Sequence, residues 1–111
     1  MTKFRQVLFK SMTIGKKIRQ LREEAGLRQR ELASQLKIGE GYLSKVENDQ
    51  KQLKREDLTI LSKIFKYPIS DLETLWLANK VYCIVRGENV GLEALKVAEE
   101  QVEYQKRKDN E

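Results

Sequence analysis

The polar side chains between residues 39 and 48 are the ones in this chain best placed to exchange hydrogen bonds with another molecule. The spacing of Leu43 and Val46 predicts a short helix over this range that buries both residues. Its outward face then carries Glu40, Gly41, Ser44 and Lys45. Carboxylates accept hydrogen bonds and ammonium groups donate them. The segment therefore predicts a short helix whose outward polar face is suited to hydrogen bonds with a ligand.

A second short helix must hold the first one in position. Leu32, Ala33 and Leu36 fall at the three- and four-residue spacings of one apolar helical face, which predicts a helix beginning at Gln29. Two helices that cross steeply over a short turn need a small side chain where they touch, and Ala33 supplies it. Residues 27–48 are therefore predicted to form a helix-turn-helix.

Other helices are predicted on both sides of this pair, over residues 13–25, 56–65, 70–85 and 92–106. Thr13 is suited to cap the start of the earliest helix, and Gly26 is suited to end it. Pro68 is predicted to end the helix over 56–65. Ser70 and Glu73 form a capping-box pattern, which predicts the start of the next helix. No long strand-like alternation is present, so the sequence predicts an all-α fold.

Four sequence words together resemble the Cro/repressor-like, or XRE-type, DNA-binding proteins. They are IGKKIRQLREEAGL (14–27), QRELASQL (29–36), GYLSKVEN (41–48) and YPISDLE (67–73). The resemblance covers about residues 13 to 78, and it is specific as a combination although each word alone is weak. It implies a lambda-repressor-like five-helix DNA-binding domain, here followed by an additional C-terminal helix.

The resemblance implies that Glu40, Gly41, Ser44 and Lys45 read bases. Glu40 can accept a hydrogen bond from cytosine N4, and Lys45 can donate to guanine O6 and N7. An alternative stays open for each of two residues. The alternative for Glu40 is that its carboxylate interacts only with the helix dipole. The alternative for Gly41 is that it loosens the helix start instead of letting the backbone approach DNA. Gly39 stands where the family has Ser or Thr as the N-cap, and glycine is a tolerable substitute there.

The resemblance also implies phosphate contacts. Gln29 is the strongest candidate, because the family uses a glutamine at this position together with the helix N-terminus to hold a phosphate. The full predicted set is Arg28, Gln29, Tyr42, Asn48, Lys51 and Lys54. Alternatives remain for three of them: Arg28 as a neutral surface residue that replaces the family's Ser or Thr cap, Tyr42 as a cover for the core edge, and Asn48 as a helix cap.

Two acidic residues near this site are predicted to be structural. Glu31 is interpreted as a partner for a nearby arginine. Glu47 is interpreted as an ion-pair partner of Arg22 or Lys51.

The distribution of charge supports a polyanion-binding face. Residues 1–55 contain 14 basic and six acidic side chains, whereas residues 56–111 contain eight basic and eleven acidic ones, within a net charge of +5. If charge is considered alone, a solvated helical surface also explains this asymmetry. The predicted helix-turn-helix lies inside the basic half, however, and this position favours a polyanion-binding face.

The residue inventory gives no support to catalysis, a metal site or a cofactor. The chain has no histidine and one cysteine, Cys83, whose apolar neighbours predict a packed, reduced thiol. At 111 residues a separate ligand-sensing domain is not expected, nor is a small-molecule ligand. No apolar run approaches the length of a membrane span and nothing resembles a secretion signal, so a cytoplasmic location is expected.

The helix over 70–85 is apolar around nearly its whole circumference, which indicates burial on several sides. We predict that residues 74–105 form a helical hairpin that makes a homodimer, or alternatively a hairpin whose last helix merely folds back within one chain. The predicted dimer residues are Leu75, Trp76, Val81, Tyr82, Val85, Leu92, Leu95 and Val102. Residues 13–73 would be the DNA-binding domain, and residues 106–111 a polar tail.

Residues 1–12 are predicted to be an N-terminal extension with three open interpretations. Met12 is the true start, or Lys3, Arg5 and Lys10 form a basic arm, or the apolar residues of this segment pack on the hairpin.

The predicted function is a transcriptional regulator, a repressor or autoregulator, that binds double-stranded palindromic operator DNA as a homodimer. The resemblance suggests a phage repressor, a restriction–modification controller or an antitoxin, and the controller is preferred because such proteins are similarly short. The rival interpretation is an interaction module whose hairpin binds a partner protein.

Overall fold

The structure is a computed structural model that describes residues 12–110, and the predictions for residues 1–11 lie outside this range. The described chain is helical and contains no strand, as the sequence predicts. The helices are α1 (Ile14–Glu24), α2 (Gln29–Leu36), α3 (Glu40–Glu47), α4 (Arg55–Phe65), α5 (Ile69–Val85) and α6 (Gly91–Asp109). None of these helices is both long and apolar enough to cross a bilayer.

The boundaries of the first three helices follow the local signals in the sequence. The side chain of Thr13 accepts a hydrogen bond from the backbone N–H of Lys16 at 3.0 Å, which confirms Thr13 as the N-cap of α1. Gly26 has a φ of +72°, a conformation open to glycine, and it stops α1 as predicted. Gly39 is the N-cap of α3 and Asn48 its C-cap, so α3 has the predicted extent.

Three predicted helix signals are wrong, although the predicted end of α4 at Phe65 is correct. Helix α4 ends because Lys66 takes a left-handed conformation, with φ of +50°. Pro68 lies directly before α5, and its carbonyl accepts hydrogen bonds from the N–H groups of Asp71 and Leu72. Ser70 therefore lies inside α5 and does not cap it, and α6 continues through Asp109, beyond the predicted end at Lys106.

The chain divides into two compact units between Asn79 and Lys80, inside α5. The core of the first unit is built from α1 to α4, the early part of α5 and the loop before α4. Its buried apolar residues are Ile14, Ile18, Leu32, Ala33, Leu36, Leu43, Val46, Leu53, Leu58, Leu61, Leu72, Leu75 and Trp76. This core fixes α3 from beneath, because Leu43 and Val46 belong to it as predicted.

The second unit holds the end of α5 and all of α6, and many of its apolar side chains are exposed. Ile84 is 74% exposed and Leu92 73%. Cys83 is also exposed, so the prediction of a packed thiol is wrong for this chain. Helix α5 is apolar around most of its circumference, but the burial on several sides that this pattern predicts is absent between Lys80 and Ile84, where the side chains are exposed.

Candidate nucleic-acid interface

Helices α1 and α2 both pack against α3 and set its position. Ala33 is 2% exposed at the inner face of α2, which agrees with its predicted role at a close crossing. Gly15 brings α1 against the end of α3. A Cβ added at Gly15 would collide with the carbonyl oxygen of Val46 and lie 2.6 Å from Oδ1 of Asp49. The approach therefore requires a residue without a side chain at this point of α1.

A buried network of three polar side chains lies beneath α3. Both oxygens of Glu47 bind the guanidinium of Arg22, with Nε donating to Oε2 at 2.7 Å and Nη2 donating to Oε1 at 3.0 Å. The prediction that Glu47 pairs with Arg22 is confirmed. Arg22 also donates from Nη1 to the carbonyl of Leu27 at 2.9 Å, which holds the segment that leads into α2. One side chain thus joins α1, α3 and the entry to α2.

The third member of the network is Gln29, the strongest predicted phosphate contact. Its Nε2 donates to Oε1 of Glu47 at 2.9 Å, and the residue is half-buried at the first position of α2. An amide nitrogen carries two hydrogens, so one remains for an acceptor outside the protein. The bond restricts the orientation of this amide before any ligand is bound.

The electrostatics of the network are those of a well-paired buried charge. The hydrogen bond to Glu47 raises the pKa of Arg22 further above its usual value, and the charge of Glu47 acts in the same direction, while burial opposes both. Since an arginine is already protonated near neutral pH, this change leaves Arg22 charged throughout the neutral range. Arg22 itself therefore introduces no pH dependence there.

The predicted base-reading residues lie together on the outer side of α3. Glu40, Gly41 and Lys45 are exposed and Ser44 is half-buried, whereas Leu43, Val46 and Glu47 on the other side are buried. Glu40 occupies the first position of α3, where a carboxylate also interacts favourably with the helix dipole. The arrangement presents a carboxylate, a hydroxyl and an ammonium group on one short surface.

The predicted phosphate-binding cations, Arg28, Lys51 and Lys54, are exposed like the predicted base-reading Lys45. Within residues 12–110, no carboxylate oxygen lies within 4.0 Å of the charged groups of Arg28, Lys45, Lys51 or Lys54, so their charges are available to an anion. Arg28 is the N-cap residue of α2 and makes no side-chain capping bond. Oε1 of Glu31 instead accepts from the backbone N–H of Arg28 at 2.7 Å, so Glu31 has a structural partner in the main chain of Arg28.

Two other predicted phosphate contacts use their side chains within the protein. The hydroxyl of Tyr42 donates to the carbonyl of Gln52 at 2.7 Å, and a phosphate contact as donor requires that this bond break. Asn48 donates from Nδ2 to the carbonyl of Ser44 at 2.9 Å and caps the end of α3. The bond of Asn48 matches its alternative as a helix cap, whereas the bond of Tyr42 joins α3 to the following loop.

Trp76 and Leu75 were predicted at a dimer interface, and the structure places them in the core of the first unit. They are 7% and 5% exposed and offer almost no surface to a second chain. The indole Nε1 of Trp76 donates to the carbonyl of Leu53 at 2.8 Å, in the loop after α3. Sequence reasoning missed this contact, because no periodicity joins residues that are 23 positions apart.

The other predicted dimer residues lie in the second unit and are more accessible. Exposed side chains are those of Val81, Tyr82, Leu92 and Val102, whereas Val85 and Leu95 are half-buried. They remain the residues on which a dimer proposal depends.

Comparison with known protein families matches residues 18–72 to the family described as Helix-turn-helix. No curated protein and no solved structure matches the chain. The matched range begins in α1 and ends in α5, so it contains α2, α3 and all the residues predicted to contact DNA. The lambda-repressor-like fold with an additional C-terminal helix, predicted from the sequence, is confirmed. Through residues 18–72 the chain belongs to the XRE-type helix-turn-helix family and is a DNA-binding transcriptional regulator.

Proposed function

We propose that the protein is a repressor, acting also on its own promoter, that binds a palindromic operator as a homodimer. One observation carries the sequence-specific part of this proposal: α3 exposes Glu40 and Lys45, with the half-buried Ser44 beside them, while its opposite side is fixed in the core. A rigid helix with donors and acceptors on its free side suits direct readout in the major groove. Lys51, Lys54 and the amide of Gln29 then contact phosphates and set the register of α3 on the duplex.

The dimeric part of the proposal depends on the exposed apolar side chains of the second unit. A small protein rarely leaves such residues uncovered in a group unless another surface packs on them. A second copy of the chain places two α3 helices about a two-fold axis, and successive major grooves are about 34 Å apart. The operator is then an imperfect palindrome, and occupancy follows the concentration of the dimer.

Gly41 supports close approach of the α3 backbone to DNA. A Cβ added at Gly41 would meet nothing within 4 Å, so the fold leaves room for a side chain there, in contrast to Gly15. Within a helix, alanine is more favourable than glycine by up to about 1 kcal/mol. The fold of this chain therefore gives no reason for a glycine at this position, and contact with a ligand does.

The Gly41→Ala variant should separate stability from DNA binding. We expect its melting temperature to stay the same or rise, because α3 gains a better helix former. Its affinity for the operator should fall several-fold, because the added methyl group lies between the helix and the base edges. Ser34→Ala, a change at an exposed position of α2, is the control and should alter neither quantity. Equal operator affinity in a more stable Gly41→Ala protein would show that the backbone does not approach DNA here.

The proposal is tested by selecting binding sites from random duplex DNA with the purified protein and titrating the selected site at several salt concentrations. We expect a palindrome with half-sites about one helical turn apart. The affinity should fall steeply with salt, with a slope of about −0.9 for each phosphate neutralised. Enrichment of no sequence, with only weak salt-dependent binding, would contradict the proposal.

A paired variant tests the dimer within the same experiment. Replacing Ile84 and Leu92 by glutamate adds charge to the exposed surface of the second unit, and we expect a monomer in sedimentation that binds the palindrome weakly. Replacing Gln35 and Thr59, two exposed uncharged residues of the first unit, by glutamate adds the same two negative charges and should leave a dimer. A wild-type protein that is monomeric, or whose hairpin captures a partner protein without binding DNA, would favour the interaction module instead.

A further inference from the structure

We propose that Trp76 is a positioning residue for DNA binding, because its indole N–H holds the loop that carries Lys51 and Lys54. This inference rests on the proposed contact of these two lysines with phosphates. The loop joins α3 to α4, and both lysines are exposed on it. Two consecutive carbonyl groups, those of residues 52 and 53, lie between the lysines in the sequence, and each accepts a side-chain hydrogen bond.

The two bonds attach the loop to different helices. Tyr42 of α3 donates to the carbonyl of Gln52 at 2.7 Å, and Trp76 of α5 donates to the carbonyl of Leu53 at 2.8 Å. The bond from Trp76 is buried, whereas the bond from Tyr42 is exposed to water. A buried bond without competing water is the stronger constraint, so Trp76 contributes most to the loop position.

Other polar groups of the loop contribute little to holding its backbone between Lys51 and Lys54. Nε2 of Gln52 is buried and has no hydrogen-bond partner among the described residues. The earlier hydrogen bond of the loop, from the N–H of Gln50 to the carbonyl of Lys45, fixes only its start. Beyond Gln50 the backbone between the two lysines is thus held by the packing of Leu53 and by the bonds from Tyr42 and Trp76.

The guanidinium of Arg55 completes the arrangement around Trp76. It lies over the indole ring, 5.4 Å from the ring centroid, and its Nε is 3.3 Å from Oε2 of Glu73. Phenylalanine at position 76 would keep an aromatic face for Arg55 and most of the core volume, but it has no donor for the carbonyl of Leu53. Trp76→Phe is therefore the change that removes the loop bond with the least disturbance elsewhere.

The test compares operator binding by the full-length wild type and Trp76→Phe as a function of salt. We expect the salt slope of the variant to be shallower by up to about 1.8, which is the loss of two phosphate contacts. The corresponding loss of affinity at 0.1 M salt is up to roughly sixtyfold. Ile64→Val, a half-buried change near the far end of α4, is the control for a small loss of core packing and should leave the slope unchanged.

A mutant cycle distinguishes positioning from a merely structural role. In the Lys51→Ala/Lys54→Ala background, Trp76→Phe should weaken binding by less than twofold, because the groups through which it acts are gone. The backbone amides of residues 51–54 should exchange hydrogen faster in Trp76→Phe than in the wild type. An unchanged salt slope, or a full effect of Trp76→Phe in the lysine-free background, would overturn the inference.

Two further conditions keep the test decisive. If Trp76→Phe does not fold, 3-benzothienyl-alanine at position 76 keeps the shape of indole and replaces only its N–H by sulfur, and the same slope change is expected. If the wild type binds no DNA sequence, the proposed function fails. If the wild type binds and the variants bind identically, only the role of Trp76 fails.

Discussion

The Glu47→Ala variant is expected to lose about 3–5 kcal/mol of unfolding free energy, the largest effect on stability that the structure predicts. The side chain of Glu47 is 1% exposed and that of Arg22 11%, so the substitution would leave a buried guanidinium without its charged partner. It would also remove the acceptor of Gln29. Since the free energy of unfolding of a domain of this size is only about 5–15 kcal/mol, the variant would lose a large part of its stability.

Thermal or denaturant unfolding followed by the fluorescence of the single tryptophan measures this loss. Glu73→Ala is the matched control, because Glu73 also pairs with an arginine, but at the surface, at 3.3 Å with side chains 56% and 35% exposed. A surface pair contributes about 0–1 kcal/mol, so the control should melt close to the wild type. Equal losses in both variants would show that the buried pair does not stabilise the fold as argued.

A double variant separates stability from the orientation of Gln29. Replacing Arg22 by methionine and Glu47 by leucine removes both charges together, and apolar pairs of similar volume often restore the stability of a broken buried ion pair. We expect a protein more stable than Glu47→Ala that still binds the operator weakly, because nothing then holds the Gln29 amide. Full recovery of operator affinity would mean that Glu47 acts only on stability.

The Gln29→Ala/Lys45→Ala variant is expected to show the largest effect on DNA binding. A hydrogen bond from an uncharged amide to a phosphate contributes about 1.5–3 kcal/mol, and a good contact from a lysine to guanine contributes about 1–3 kcal/mol. Together their loss should weaken binding to the selected operator by roughly a hundredfold to ten-thousandfold. Binding to random duplex DNA should fall less, because the phosphate contact of Gln29 is lost on both DNAs whereas the contact of Lys45 with guanine contributes fully only on the operator.

Fluorescence anisotropy with labelled operator and with random duplex measures both affinities. Gln35→Ala/Lys63→Ala is the matched control: it deletes the same side-chain types from exposed positions of α2 and α4, and it should bind as the wild type does. Sedimentation should show the same oligomeric state for the wild type and both variants. An operator affinity equal to that of the control would refute the assignment of Gln29 and Lys45.

The sequence by itself determined the helices and most of their ends. A period of 3.6 residues and a cap such as Thr13 are local properties, and local hydrogen bonds realise them whatever surrounds the helix. The spacing of Leu43 and Val46 is also a local property, so it was enough to predict which side of α3 is buried. The boundary at Ser70 was wrong because the capping-box pattern is shared by many non-capping residues, and here the carbonyl of Pro68 already accepts the first hydrogen bonds of the helix.

The tertiary structure alone decided which polar groups meet and which apolar groups are covered. Glu47 lies 25 residues from Arg22 and 18 from Gln29, and Trp76 lies 23 from Leu53. Apolar periodicity predicts that a residue is buried but not which surface buries it. The sequence was therefore equally consistent with Trp76 in a dimer interface and with Trp76 in the core. Only the packing of α5 on the loop after α3 made that choice, because burying the indole required an acceptor for its N–H and the carbonyl of Leu53 provided one.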